Sequence, residues 1–581
     1  MRIGVWVRNG VAAAGLAAAV LAGCTKTDEA AKGADADWPS FVNAWIESDL
    51  KANPTFAFYE GREEYAGQFP DWSADGLKAE SDRLNDWKAR AEAMDVSGLT
   101  DAQKFERDYL LALIDGRLFW QVTADQPHLS PTWYWLDPGV YLDRPYADLA
   151  TRMADYTKWA SNVPAAAAQI KANLTGPLPS VQIDMGASSF GPMAGFLRSE
   201  VPGVFKDVDD AAAQAAFAAA NEAAAAALDD LDAHMESLRA TQVNEFALGP
   251  DLFSKMLYAT ERVSTPLDEL KAIGEADLQR NLDALSEACA LYAPGQSVKQ
   301  CIAKEAANKP DGGDPVAYAR KQLVELRQFV IDHDVVSVPG TEEAMVKQAP
   351  SYNAQNSAYI DPSPPFEKDM PAFYNIAAPD PSWPKEKQDA YIPAKADLLF
   401  TSVHEVWPGH FLQFLHSNRS ESMFGKLYVG YAFAEGWAHY AEEMMWEEGL
   451  GEGDPETHIG QLTNALLRNV RFLSAIGMHT GGMTIEESKQ MFIDKGMQDE
   501  GNAEQQAARG AYDPAYLNYT MGKLMIMKLR ADWCEAKGMA PASDDYKACW
   551  KDFHDAFLSH GGPPIPLVRG AMMNEPPASV F

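Results

Sequence analysis

The stretch that most constrains this chain is Asp397–Gly449. Its first half reads His404-Glu405-Val406-Trp407-Pro408-Gly409-His410, and Glu435 follows twenty-five positions after His410 in a strongly helical run. Catalytic zinc keeps three protein ligands and leaves a fourth position for water, whose pKa it lowers toward ~7. His404 and His410 would supply the imidazoles and Glu435 the carboxylate, with Glu405 beside the first histidine as the base for that water. Two histidines four apart on a helix share a face, because four residues turn through ~400°. Here they are six apart, ~240° round an unbroken helix. Pro408-Gly409 removes the conflict: proline cannot donate to the ladder and glycine accepts unusual backbone angles, so the two residues can bulge out and return His410 to the face of His404. Taken alone, the first motif is as readily a surface accident. Glu435, brought back on an antiparallel second helix, favours the metal site.

The pattern His-Glu-x-x-Pro-Gly-His-x-x-Gln, ending at Gln413, followed by Glu-Gly-Trp-Ala-x-Tyr-x-Glu, ending at Glu442, resembles the bacterial family known as domain of unknown function 885. That family is grouped with zinc-peptidase-like proteins, and many of its members are lipoproteins. The resemblance runs from about residue 40 to the end of the chain. It implies a mainly α fold: a large helical body with a deep groove, a small β-sheet at its rim, zincin-like metal helices and one Zn2+. It also implies that Phe373-Tyr374-Asn375 forms an edge strand bordering the groove. A peptide could add to such an edge by main-chain hydrogen bonds, with Tyr374 and Asn375 beside it; a plain surface hairpin is the other reading.

Amide hydrolysis develops an oxyanion, which needs a donor besides the metal. Tyr519, with Tyr516 as alternative, and His479 are the candidates, as in helical zinc peptidases. A terminal carboxylate on the substrate suits a bidentate arginine, and Arg468, Arg471 and Arg509 stand in the following helices. A structural ion pair is the other reading for these arginines. Gln413 and Glu442 are placed to orient ligands from behind. Where relatives carry Asp before the Gly-x-His of the arginine-rich helix this chain has Ala475. Where Gly often follows the proline before the paired tyrosines it has Ala515, so the orientation of His479 and of the tyrosines stays open.

The N-terminus sets an address. Arg2 and Arg8 precede the apolar run Val11–Leu21, which ends in Leu21-Ala22-Gly23-Cys24. This reads as a signal peptide over 1–23 with a lipobox, too short for a membrane span. Lipid on Cys24 and a flexible tether over 24–37 would anchor the protein to a bacterial envelope membrane, facing the periplasm. Thr25 rather than Asp follows the cysteine, which resembles outer-membrane sorting. The remaining cysteines fall into local pairs, Cys289 with Cys301 and Cys534 with Cys549, and each pair could close a disulfide in an oxidising compartment. Four free thiols are the alternative. A net charge of −34 argues against nucleic acid or anionic lipid as partner.

From Trp38 to about Val330 apolar residues recur at three and four, so 38–330 reads as a helical lobe and 331–581 as the metal-bearing half of one catalytic domain. Pro164–Leu174 begins with a proline suited to a first turn, and the alanines of Ala211–Ala240 suit one long helix. Trp133, Tyr134, Trp135 and Tyr141 floor either a cleft or a core. The expected function is an envelope-anchored zinc metallopeptidase acting on short peptides. A non-catalytic peptide-binding lipoprotein that retains the metal site, and a metal-dependent amidase on other amides, are the alternatives. The sequence carries no signal of oligomeric state.

Overall fold

In this computed structural model, residues 37–350, 357–367, 370–379, 382–539, 546–576 and 581 are described. Cys24, the leader before it and the tether up to residue 36 lie outside them. The chain divides into two units, one over Phe246–Ser363 and Pro371–Phe581, the other holding the described residues up to Glu245 together with Pro364–Met370.

Long alanine-rich helices build the second of these. Helices α1 (Leu149–Asn173) and α2 (Ser180–Ser199) each pack along α3 (Ala211–Leu238). Asp210 caps α3 by accepting from the Ala212 and Ala213 N–H groups, and the alanines behind it give high helix propensity and a slim face. Pro164 does not start a helix: α1 already begins at Leu149, where the Asp148 side chain accepts from Thr151 N–H, and the proline lies inside it. Tyr134 and Tyr141 are core residues of this unit. The Tyr134 hydroxyl donates to the Pro127 carbonyl, its ring meets Trp72 edge-on, and the Tyr141 hydroxyl accepts from Gly67 N–H.

The first-named unit carries α4 (Leu267–Tyr292), β1 (Ala344–Gln348), β2 (Ala358–Asp361), β3 (Ala372–Ile376), α5 (Lys395–Glu405), α6 (His410–Ser417), α7 (Tyr431–Glu447), α8 (Pro455–Thr480) and α9 (Asn518–Ala536). Helix α4 packs along α8, so the division falls at Phe246 and not at residue 331: the segment 246–330 belongs with the metal-bearing helices. Helices α7 and α9 cross at two glycines. A Cβ on Gly436 would lie 2.5 Å from Gly522 Cα, and one on Gly522 only 2.1 Å from the Ala432 carbonyl oxygen. No side chain fits at either position, and the crossing draws Tyr519 toward Glu435.

The sheet corrects one expectation. Its order is β1-β3-β2, with β1 parallel and β2 antiparallel to β3, so Phe373-Tyr374-Asn375 lies on the central strand. Its main chain is paired on both sides and is closed to an added peptide. The Tyr374 hydroxyl sits 3.3 Å from Ser402 Oγ, and Asn375 donates to the Phe373 carbonyl. The edge strands are β1 and β2. Disulfides join Cys289 to Cys301 and Cys534 to Cys549. Among the described residues no helix is long and apolar enough to cross a membrane.

Candidate metal centre

The His404–His410 segment is a break between two helices rather than a bulge within one. Helix α5 stops at Glu405, Trp407-Pro408 is a cis peptide, and Gly409 caps α6, which starts at His410. Two hydrogen bonds span the break, Gly409 N–H to the Val403 carbonyl (3.0 Å) and Leu412 N–H to the Val406 carbonyl (3.4 Å). Each reaches six residues back instead of four, so two residues are looped out and the register resumes. The imidazoles of His404 and His410 thus meet with ring centroids 4.7 Å apart.

Helix α7 completes the set. Ligand atoms of His404, His410 and Glu435 all lie within 4.8 Å of one another, and all three side chains are buried. His404 Nε2 is 3.2 Å and His410 Nε2 3.3 Å from Glu435 Oε2. Even so, these nitrogens and both Glu435 oxygens have no aligned hydrogen-bond partner among the described residues. Buried polar atoms are nearly always paired, so several of them facing one another unpaired suits a cation between them. Electrostatics agrees. Burial and Arg468 push the His404 pKa down, but Glu435 and Glu442 overcome both and hold it up to about 9. Burial opposes ionisation of Glu435, yet His410 and His404 draw it well below the usual carboxylate range. The pocket is short of positive charge, and two imidazoles with one carboxylate are a zinc-type donor set.

Behind the ligands, Glu442 accepts from His404 Nδ1 (2.7 Å), leaving Nε2 as the nitrogen turned to the site. Arg468 closes on the same carboxylate, Nη2 3.1 Å from Oε1 and Nη1 3.3 Å from Oε2. Burial opposes ionisation of Glu442, but Arg468 prevails and holds it well below its ordinary value. Outer partners of this kind are worth ~10–100-fold in metal affinity. Glu442→Gln is therefore expected to weaken zinc binding by about that factor in a chelator-competition titration.

Glu405 lies in the same pocket. Its Oε2 accepts from the Ile360 N–H of β2 (3.0 Å), while Oε1 has no hydrogen-bond partner among the described residues. Burial raises its pKa, opposed by His404 and His410. The main chain of the edge strand β2 thus borders the donor set, a contact that spacing in the sequence could not show.

The tyrosine and arginine candidates separate. The Tyr519 ring stacks 6.3 Å from His404, and its hydroxyl is pushed up to about 12 by burial and by Glu435. The Tyr516 hydroxyl lies against Gly510 instead. Arg468 is spoken for by Glu442. Arg509 pairs with Asp513 (3.1 Å) and donates to the Tyr431 hydroxyl (2.8 Å). Arg471 donates to Gln506 Oε1 (2.8 Å). Tyr431 escaped the sequence reading, although it stands four residues before Glu435 and therefore on the same helix face.

Two candidates are held elsewhere. His479 Nε2 bonds the Gly510 carbonyl (2.8 Å), Nδ1 accepts from Leu248 N–H (3.3 Å), and Phe253 stacks on its ring. It ties the end of α8 to the 246–253 segment and has no nitrogen left for an oxyanion. Gln413 donates to Ser417 Oγ (2.7 Å) and the Gly561 carbonyl (3.3 Å), not to a ligand.

At the N-terminus of α7, Glu261 Oε1 accepts from Ala432 N–H (3.2 Å) and Asn518 Nδ2 (3.1 Å), while Oε2 has no hydrogen-bond partner among the described residues. Burial pushes its pKa up to about 8, and the Ala432 N–H pulls it back only in part. The folded chain keeps a proton that the unfolded chain loses above ~4.3. Its stabilising contribution is therefore complete below that pH and is lost as pH rises through about 8. Glu261→Gln is expected to flatten this fall in thermal unfolding followed from about pH 5 to 9.

Two solved structures share the fold. A lipoprotein candidate of unknown function from Shewanella oneidensis superposes with a TM-score of 0.75 at 22% identity, over 93% of this chain and 100% of that one. A lipoprotein candidate from Colwellia psychrerythraea gives 0.73 at 17%, over 93% and 99%. No curated protein matches the chain. The family model described as "Bacterial protein of unknown function (DUF885)" matches residues 54–572, and the chain belongs to that family.

Proposed function

We propose that this protein is a zinc-dependent peptidase of the bacterial envelope, lipid-anchored at Cys24 and acting on short peptides in the periplasm. The observation that carries the reading is the buried, unpaired donor set of His404, His410 and Glu435 with Glu405 beside it. When bound there, zinc would supply Lewis acidity toward water and an amide carbonyl. Glu405, held at Oε2 by Ile360 N–H, would use Oε1 to take a proton from water and hand it to the leaving nitrogen. The Tyr519 hydroxyl, a donor at neutral pH, would face the developing oxyanion. Glu442 keeps His404 in one tautomer and orientation throughout.

The envelope address draws support from the two structural relatives described as lipoprotein candidates and from the disulfides, which suit an oxidising compartment. Chelator-stripped protein should leave a mixture of short peptides intact and cleave it once zinc is restored. Zinc-loaded protein that binds peptides without cleaving them would instead be a binding lipoprotein. Cleavage confined to non-peptide amides would make it an amidase.

A further inference from the structure

Three guanidinium groups surround the Tyr519 ring, with Arg468, Arg471 and Arg509 at 5.8, 4.8 and 5.8 Å from its centroid. Only two of them have a carboxylate. Arg468 holds Glu442, which His404 also uses, and Arg509 holds Asp513. Arg471 is 4% exposed; among the described residues its one hydrogen bond runs from Nε to the neutral Gln506, and no carboxylate comes within ion-pair distance. Arg509 Nη1, also buried, has no hydrogen-bond partner among the described residues. An arginine does not shed its charge in a protein, and a buried charge without a counter-charge is strongly unfavourable. The cation–π contact with Tyr519 offsets only a part of that cost. Such a group is stable and useful if an anion arrives from outside.

The anion's chemistry follows from what lies next to it. The Tyr519 ring that Arg471 covers is itself stacked 6.3 Å from His404, so the unpaired guanidinium stands one aromatic ring away from the donor set. An extended peptide advances ~3.3–3.6 Å per residue. One or two residues beyond an amide held at the donor set therefore suffice to carry a carboxylate to the arginines. We propose that Arg471, flanked by Arg509, receives a carboxylate of the peptide substrate. The protein then removes one or two residues from free C-terminal ends. This rests on the peptidase reading and narrows its substrate class.

The test uses zinc-loaded full-length protein carrying Glu405→Gln and isothermal calorimetry with three tetrapeptides. These are a free acid, its C-terminal amide, and an amide carrying glutamate near its end. The free acid is expected to bind at least ~10-fold tighter than the plain amide, the scale of a charge-assisted hydrogen bond. Arg471→Met should erase that difference, and Arg471→Lys should restore part of it. Should Arg471→Met fail to fold, the comparison of ligands on the parent protein still decides. Recovery of tight binding by the glutamate amide would support the carboxylate site and move its source to an acidic side chain. Equal binding of acid and plain amide, together with wild-type cleavage of amidated peptides, overturns the inference and leaves the peptidase standing. No binding and no cleavage of any peptide overturns both.

Discussion

Glu405→Gln is expected to lower peptide hydrolysis by about two to four orders of magnitude, the usual contribution of general acid–base catalysis, while bound zinc stays as in the wild type. The reasoning is steric as well as chemical. Glutamine keeps the shape of the side chain and an oxygen to accept the Ile360 N–H that fixes Oε2 at 3.0 Å. It replaces the oxygen that has no hydrogen-bond partner among the described residues with an amide that cannot take a proton. His404, His410 and Glu435, which would hold the metal, are untouched. The check is kcat on a cleaved peptide beside metal analysis of the same preparation. Equal turnover in the two proteins removes Glu405 from the chemistry, and joint loss of zinc and activity would show it to be structural.

Gly409→Ala should be more damaging than its size suggests. There is no room at Gly409 for a side chain. A Cβ there would fall 1.9 Å from the His404 carbonyl oxygen, 2.4 Å from that of Val403 and 2.5 Å from His404 C. All three are main-chain atoms, so the segment carrying the first ligand must move to admit a methyl group. That movement also disturbs the Gly409 N–H to Val403 bond that spans the break. Overpacking of this kind costs ~1–3 kcal/mol, and the lost register separates the two imidazoles. Zinc affinity is expected to fall by more than the ~100-fold assigned to outer partners such as Glu442. Gly98→Ala, where an added Cβ meets nothing within 4 Å, is the control. Thermal unfolding and chelator competition on both variants separate a site-specific effect from a general one.

What the sequence made legible was local. A spacing of six positions between two histidines, with Pro-Gly inside, is the helix spacing of four plus two, and the hydrogen bonds reaching six residues back across the break are that arithmetic in the backbone. Glu442, seven after Glu435, lies two turns along the same face and meets His404. What stayed hidden depends on partners distant in the chain. The pattern of 372–376 reads as a strand but does not say which strands flank it, and β1 and β2 supply the edges. His479 has the right residue type, yet Gly510 and Leu248 take both its nitrogens. Arg509 meets Asp513 only four residues on, but Arg468 and Arg471 look alike in sequence, and a carboxylate distant in the chain, Glu442, sets Arg468 apart. The Gly436–Gly522 crossing has no signal in either helix alone.

The most direct measurement is the metal content of the purified chain supplied with zinc, beside that of His410→Ala. Convergence of His404, His410 and Glu435 on one ion predicts about one zinc per chain in the first, as a three-ligand site holds, and a marked loss in the second. No bound divalent ion in the wild type, or the same zinc content in both, would contradict it.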